Sequence, residues 1–485
     1  MSETAIPDGA TTAPPARPQR TDLTQGPILR TLALFAAPTL LSNVLQSLNG
    51  SINTIWVGRL IGESALAATA NANIVMFLVF SAIFGFGMAA IVRIGQSFGA
   101  RDVEAARRTF GTVIGLTVVL ALLVGVLGWL FAPRLLALLG TPADARVLAL
   151  AYLRVIFVSL PAGMVSVVIS MGLRGSGDSR SPLYFMIVTV LIDIVLNPLL
   201  IRGLGPVPAF GIAGSAAATA TANLAGLIGI IVWIYARDLP LRLRGAELRW
   251  LIPQRAELGY ILRKGLPMGA QMLIISGAGI LMIGLVNREG LLTAAAFSAS
   301  LQLFNYVQMP ALAIGAAVSA MAAQNIGALR HDRVSQATRA GITLNLVMTG
   351  TIIALLLVLD RAVLGLFLGN ASPAVPLARH IMLLASWSFL LFGVMIVMFS
   401  TMRAYGAVIA PLIILGVALY PVRLGFYYLA YPRLGADAIW LAFPAGAVVS
   451  LGLTLAFYLR GPWQKQMAAG SVGSVRPVGA VRPAA

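Results

Sequence analysis

A dozen uninterrupted apolar runs, each about 20 residues or longer, recur along this chain with short polar breaks between them. No other feature limits its fold as much. A bilayer core offers no water to backbone N–H and C=O groups, so a spanning segment must be a helix or a strand of a closed barrel. Barrel strands alternate apolar and polar residues, whereas these runs are continuous, so they read as helices. Run lengths and loop breakers place them near 28–57, 65–98, 103–131, 144–171, 180–203 and 210–236, then 257–287, 291–327, 333–358, 372–403, 409–430 and 435–459. The chain is 59% hydrophobic and 10% charged, with mean hydropathy +0.90, too little charge to cover a water-facing surface. The expected fold is an all-α integral membrane protein of twelve transmembrane helices.

The net charge of +18 would suggest nucleic acid in a soluble chain. Here it is topological, and no nucleic-acid partner is expected. The N-terminal tail, the even-numbered loops and the C-terminal tail hold 23 of the 34 Lys and Arg, and the odd-numbered loops hold 9. That excess places both termini in the cytoplasm, in a bacterial inner membrane, by the positive-inside rule. Residues 1–27 read as a disordered tail with no cleavable signal peptide, and 461–485 as a second disordered tail. The Arg-rich stretch 237–256 reads as a cytoplasmic linker. There are no cysteines, which excludes thiolate metal sites and Cys nucleophiles. His331 and His380 sit beside loops, as solvated residues do. No phosphate-binding loop, zinc motif or nucleophile constellation is present, so neither an enzyme nor a cofactor is expected.

An internal repeat organises the helices. Pro38/Pro267, Gly140/Gly369, Arg174/Arg403, Gly177/Gly406 and Pro182/Pro411 are each 229 residues apart. QSFGA at 96–100 echoes QNIGA at 324–328, and Ala67–Ala68 echo Ala295–Ala296, both 228 apart. One pair could be chance; a shared register over many pairs is a duplication. Six helices per half make both halves enter the membrane in the same sense. Two lobes, 28–236 and 257–460, are therefore expected around a pseudo-two-fold axis along the membrane normal, a plan of secondary transporters.

Of sixteen acidic residues, fifteen fall in tails, loops or helix edges. Asp193 alone lies inside a run, IVTVLIDIVLNPLLI. A carboxylate at bilayer depth costs about 3 kcal/mol on insertion scales, so it marks a functional site by default. It suits reversible protonation or Na⁺ capture; the alternative is an interhelical hydrogen bond that only fixes packing. Asn197 lies one turn later on the same face, and Pro198 frees backbone carbonyls beside it. Ser215 or Thr219 on the sixth helix could add a hydroxyl oxygen. Arg174, Arg180 and Arg403 sit at cytoplasmic helix ends, suited to headgroups or helix C-termini. Arg93 and Arg423 lie deeper and either snorkel or pair between helices. For a substrate cavity the candidates are the amides Gln46, Asn49, Asn71, Asn73 and Gln308, since amides facing lipid are costly. Met76, Phe80 and Trp387 join them as adaptable apolar surfaces.

Several segments resemble one family. APTLLSNVLQSLNGSINTIWVGRLIGESALAA (37–68), GARDVEAARR (99–108), LRGSGDSRSPLYFMIVTVLIDIVLNPLLI (173–201), FGIAGSAAATATAN (210–223) and GLPMGAQ (265–271) are similar, in order, to the multidrug and toxic compound extrusion (MATE) family. The likeness covers roughly 28–460. It implies a monomeric antiporter among membrane lipids that exports small organic, often cationic, compounds in exchange for H⁺ or Na⁺. In the family the first and fifth helices supply an N-lobe cation site, which adds Asn53, in INTIWVG, where many relatives carry Asp. In relatives that pair Asn with a later Asp on the fifth helix, the order here is exchanged, Asp193 then Asn197. A site with one negative charge favours H⁺ slightly over Na⁺. Some relatives carry a Glu in the seventh helix; the nearest position here, Ser276, is neutral, so coupling is expected in the N-lobe. Two other readings stand beside this one. A flippase of lipid-linked saccharides would need several cations in its cavity, and a non-transporting scaffold would tolerate loss of Asp193.

Overall fold

The computed structural model describes residues 22–138, 143–203, 208–369, 371–461 and 463–464. Among them there are helices and no strands. In chain order they are α1 (Ile28–Leu60), α2 (Glu63–Gly99), α3 (Val103–Leu138), α4 (Ala143–Gly175), α5 (Arg180–Arg202) and α6 (Gly211–Ala236). After a short 3₁₀ turn at Gly245–Leu251 follow α7 (Arg255–Arg288), α8 (Leu291–Gly327), α9 (His331–Val358), α10 (Asp360–Leu368), α11 (Ala374–Ala385) and α12 (Ser388–Ala404). The chain ends with α13 (Ile409–Val417), a π turn (Ala418–Val422), α14 (Arg423–Leu434) and α15 (Asp437–Arg460). Eleven spans are long and apolar enough to cross a membrane, α13 to α14 counting as one, and the bent pair α11–α12 makes the twelfth.

The two six-span lobes carry matching backbone features. Gly62 and Gly290, before α2 and α8, both have positive φ, as do Arg101 and Leu329 after them and Gly177 and Gly406 after α4 and α12. Pro38 and Pro267 both lie inside the first helix of their lobe. Gly140, one member of the repeat, lies outside the described residues. The lobes meet chiefly where α2 packs on α7 and α8, and α1 on α8. At one end the crossing is very close. A Cβ on Gly99 would lie 1.9 Å from the Gln324 carbonyl oxygen, and one on Gly327 would lie 1.9 Å from that of Gln96. Only glycine allows that approach. Beside it, Gln96 Nε2 donates to the Ala404 carbonyl at 2.8 Å, and Gln324 Nε2 donates to the Gly175 carbonyl at 3.0 Å. Each glutamine reaches the opposite lobe at repeat-related positions, so one device occurs twice about the pseudo-axis.

Four local features depart from the sequence reading. The tenth span is bent by 44° between α11 and α12, where bonds of 3₁₀ type, Phe389 N–H to Ser386 and Leu390 N–H to Trp387, tighten the chain. An extra helix, α10, fills the break after the ninth span, its first turn carrying Asp360, which accepts from Arg379 at 2.6 Å. The inner ends of both tails are packed rather than disordered. Leu23 is fully buried, its carbonyl accepting from Asn325 Nδ2 at 3.0 Å. Trp463 is buried too, stacked on Tyr458. Finally, the linker is docked. Trp250 is buried against α3, where Gly111 leaves room for it, and Arg107 donates to Pro240 O at 2.6 Å and to Glu247 at 2.9 Å.

Candidate functional site

Three helices of the N-lobe bring a polar cluster together in an apolar setting. α5 supplies Asp193 and Asn197, each 1% exposed. One turn separates them, so both face α1 and α6. From α1, Asn49 Nδ2 donates to Asp193 Oδ2 at 2.7 Å. The other carboxylate oxygen accepts from Thr219 Oγ1 of α6 at 3.1 Å and from Asn197 Nδ2 at 3.2 Å. Asn53, one turn after Asn49, accepts from Asn197 Nδ2 and from Ser215 Oγ, the latter at 3.2 Å, and donates to Thr219 Oγ1 at 3.1 Å. The structure thus joins all five residues expected for cation coupling, Asp193, Asn197, Asn53, Ser215 and Thr219. It adds Asn49, which the sequence reading assigned to the substrate cavity.

The chemistry of the cluster is one-sided. Every donor to Asp193 is neutral, and no cationic side chain pairs with it among the described ion pairs. The amide oxygens of Asn49 and Asn197 are buried without a donor. The carboxylate has neutral donors but no positive charge beside it, and two amide oxygens near it have no partner. A proton or a small hard cation would offset the charge, and a cation could also take those oxygens as ligands.

The other cavity candidates are scattered. Gln46 and Asn73 are exposed, Met76 and Phe80 half-buried, and the Asn71 side chain lies outside the described residues. Gln308, on α8, donates to Asn305 at 3.0 Å, and Trp387 is exposed at the α11–α12 bend. A cavity of about 390 Å³ opens between the lobes, lined by apolar residues of α1, α8 and α9 such as Leu40, Val44, Pro310 and Met348. It includes none of the candidates.

Arg403 departs from the sequence reading, while Arg93 pairs between helices, one of the two outcomes expected of it. Arg403 faces protein rather than headgroups, donating to Gln271 Oε1 at 2.6 Å. Arg93 pairs with Glu257 at 3.4 Å, and Thr109 Oγ1 donates to the same carboxylate at 2.9 Å. Glu257 is 6% exposed and ties α7 to α2 and α3. Sequence reasoning placed it at a loop edge; the one clue was Arg93 itself, a guanidinium in an apolar run in need of an acid.

The MatE family model matches residues 38–199 and 267–429, one match in each lobe. The chain is 35% identical over 441 residues to the probable multidrug resistance protein YoeA of Bacillus subtilis, covering 90% of this chain and 95% of that one. It is 25% identical to the FAD transporter of Shewanella oneidensis over 396 residues, 81% of this chain and 86% of that one. Among solved structures, an outward-facing multidrug resistance MATE family transporter of the MOP superfamily superposes with a TM-score of 0.84 at 21% identity, covering 94% of this chain and 99% of that one. Matching both lobes and most of the length, this chain belongs to the MatE family of membrane transporters.

Proposed function

We propose that this chain is a secondary active antiporter that exports small organic compounds, often cationic, in exchange for H⁺ or Na⁺ by alternating access. The lobes would be 28–236 and 257–460, and the end carrying Gln96 and Gln324 would face the cytoplasm of a bacterial cell, as the arginine-rich loops beside it suggest. The observation that carries the reading is the uncompensated Asp193 carboxylate. Taking up a cation from outside removes its charge and re-forms the bonds to it, of which those from Asn49 and Thr219 link α5 to α1 and α6. That changes the relative energy of the two lobe arrangements, which is all a coupling ion needs to do. The multidrug names of relatives such as YoeA support the class of cargo. The flippase alternative wants several cavity cations, and the N-lobe cluster has none.

The test is ethidium efflux from proteoliposomes of the purified chain, with pH and Na⁺ gradients imposed separately. One gradient should drive efflux by wild type, and Asp193→Asn should abolish that drive while remaining monodisperse. Full gradient-driven efflux by Asp193→Asn would remove Asp193 from the mechanism.

A further inference from the structure

Arg423 opens α14 directly after the π turn, and the proposed mechanism leaves its chemistry unused. It lies 11 residues from the end of its span and 14 from the start, about 17 and 21 Å along the axis at 1.5 Å per residue. That is too deep for a guanidinium to snorkel to either interface. Its Cζ sits 4.6 Å from the centre of the Phe443 ring on α15. Its Nε is buried without a hydrogen-bond partner, and no carboxylate pairs with it among the described ion pairs.

The repeat explains why it is there. From Arg174/Arg403 to Pro182/Pro411 the lobes run at an offset of 229. The π turn Ala418–Val422, in which the Arg423 N–H reaches back to the Ala418 carbonyl, inserts one residue. The offset becomes 230, and Arg423 falls on the register of Asp193. The last helices agree: Gly211 and Gly435, at the starts of α6 and α15, both have φ +56°, and that offset of 224 pairs Thr219 with Phe443. So Thr219 donates to Asp193 in one lobe, and Phe443 underlies Arg423 in the other. Where α1 supplies Asn49 and Asn53, α7 supplies Ala278 and Met282 at an offset of 229, both buried and apolar. Of the paired positions, only Tyr427, opposite Asn197 at the offset of 230, is polar, and no amide or carboxylate is among them.

We infer that Arg423, stacked on Phe443, is an anion-binding subsite of the C-lobe that selects substrates bearing a carboxylate in addition to any positive group. A guanidinium at this depth with a buried, unpartnered Nε is costly until an anion meets it, and a carboxylate fits its two-pronged geometry. The lobes then present opposite charges at equivalent positions, and a zwitterionic organic molecule engages the cationic one with its acid. This rests on the export reading above.

Rhodamine B and its methyl ester share one cationic ring system and differ in a free carboxylate, so they isolate the effect. Binding to the purified full chain is read by fluorescence anisotropy without any gradient, and export separately in proteoliposomes. Wild type should bind rhodamine B more tightly than the ester. Arg423→Gln should weaken rhodamine B on the order of tenfold, the worth of a charge-assisted bond, and leave the ester unchanged; Arg423→Lys should fall between. Equal effects on both dyes, no effect on either, or a wild type that binds neither would overturn the subsite. Binding that follows this pattern without gradient-driven export would instead overturn the antiporter reading alone.

Discussion

Asp193 alone in the cluster carries charge, and in the proposed exchange its neighbours would decide how strongly it holds a cation. Asn197 is the hinge of the set, since its one amide nitrogen serves both Asp193 and Asn53. Hydrogen bonds to a charged group contribute about 1.5–3 kcal/mol each. Asn197→Ala should therefore change the half-saturating concentration of the coupling cation by on the order of tenfold or more. Ser215→Ala touches only a neutral acceptor and should change it by less than about threefold. Driven efflux measured against outside cation concentration separates the two, and equal effects would deny Asn197 its bridging place. Glu257 makes a contrasting case. Its pairing with Arg93 is long and partly solvated, with side chains 8% and 22% exposed. Glu257→Gln should cost about 2 kcal/mol, less than a fully buried pair. A lowered melting temperature with ion selectivity intact is expected; a changed ion selectivity would move Glu257 into the coupling machinery.

At the scale of elements, the twelve spans and their duplication were legible because both are local signals: run length, loop breakers and a constant offset. Asp193 stood out for the same reason, one acid in one apolar run. Asn53 came from the family likeness, and only the fold shows that Asn49, 144 residues from Asp193, reaches it. The features that were missed depend on contacts distant in sequence. Glu257 looks like a solvated helix edge until Arg93, 164 residues away, is placed against it. The π turn is only half legible, since Pro421 in ALYPV marks a disturbed helix but not the extra residue. The linker's order is hidden too, because its arginines suggest solvent while Trp250 anchors it on α3. Removing a large buried aromatic side chain typically costs about 3–5 kcal/mol. Trp250→Ala should release the linker, so that trypsin cuts at Arg242, Arg244 or Arg249 several-fold faster than in wild type. An unchanged digestion rate would mean that Arg107 and its partners hold the linker without Trp250.

Across the whole molecule, the matched Gln96 and Gln324 bonds hold the two lobes together at one end, beside a helix crossing that only glycines permit. A rocking carrier must break both bonds to open there, and each contributes about 1 kcal/mol net. Because they are related by the pseudo-axis and close the same interface, they should break together. Gln96→Ala with Gln324→Ala should therefore shift the population toward the state open at that end by roughly thirtyfold. Each single change should shift it by about fivefold. The chain has no cysteines, so Glu104→Cys and Asp332→Cys, both exposed and 228 residues apart in the repeat, can carry a pair of spin labels without background. Distance distributions should gain a longer component in the double alanine variant, and the coupling cation should alter its weight if the Asp193 cluster and this closure belong to one equilibrium. A longer component that ignores the cation would separate the closure from the site. An unchanged distribution would show that the glycine-lined crossing alone, not the glutamines, keeps this end shut.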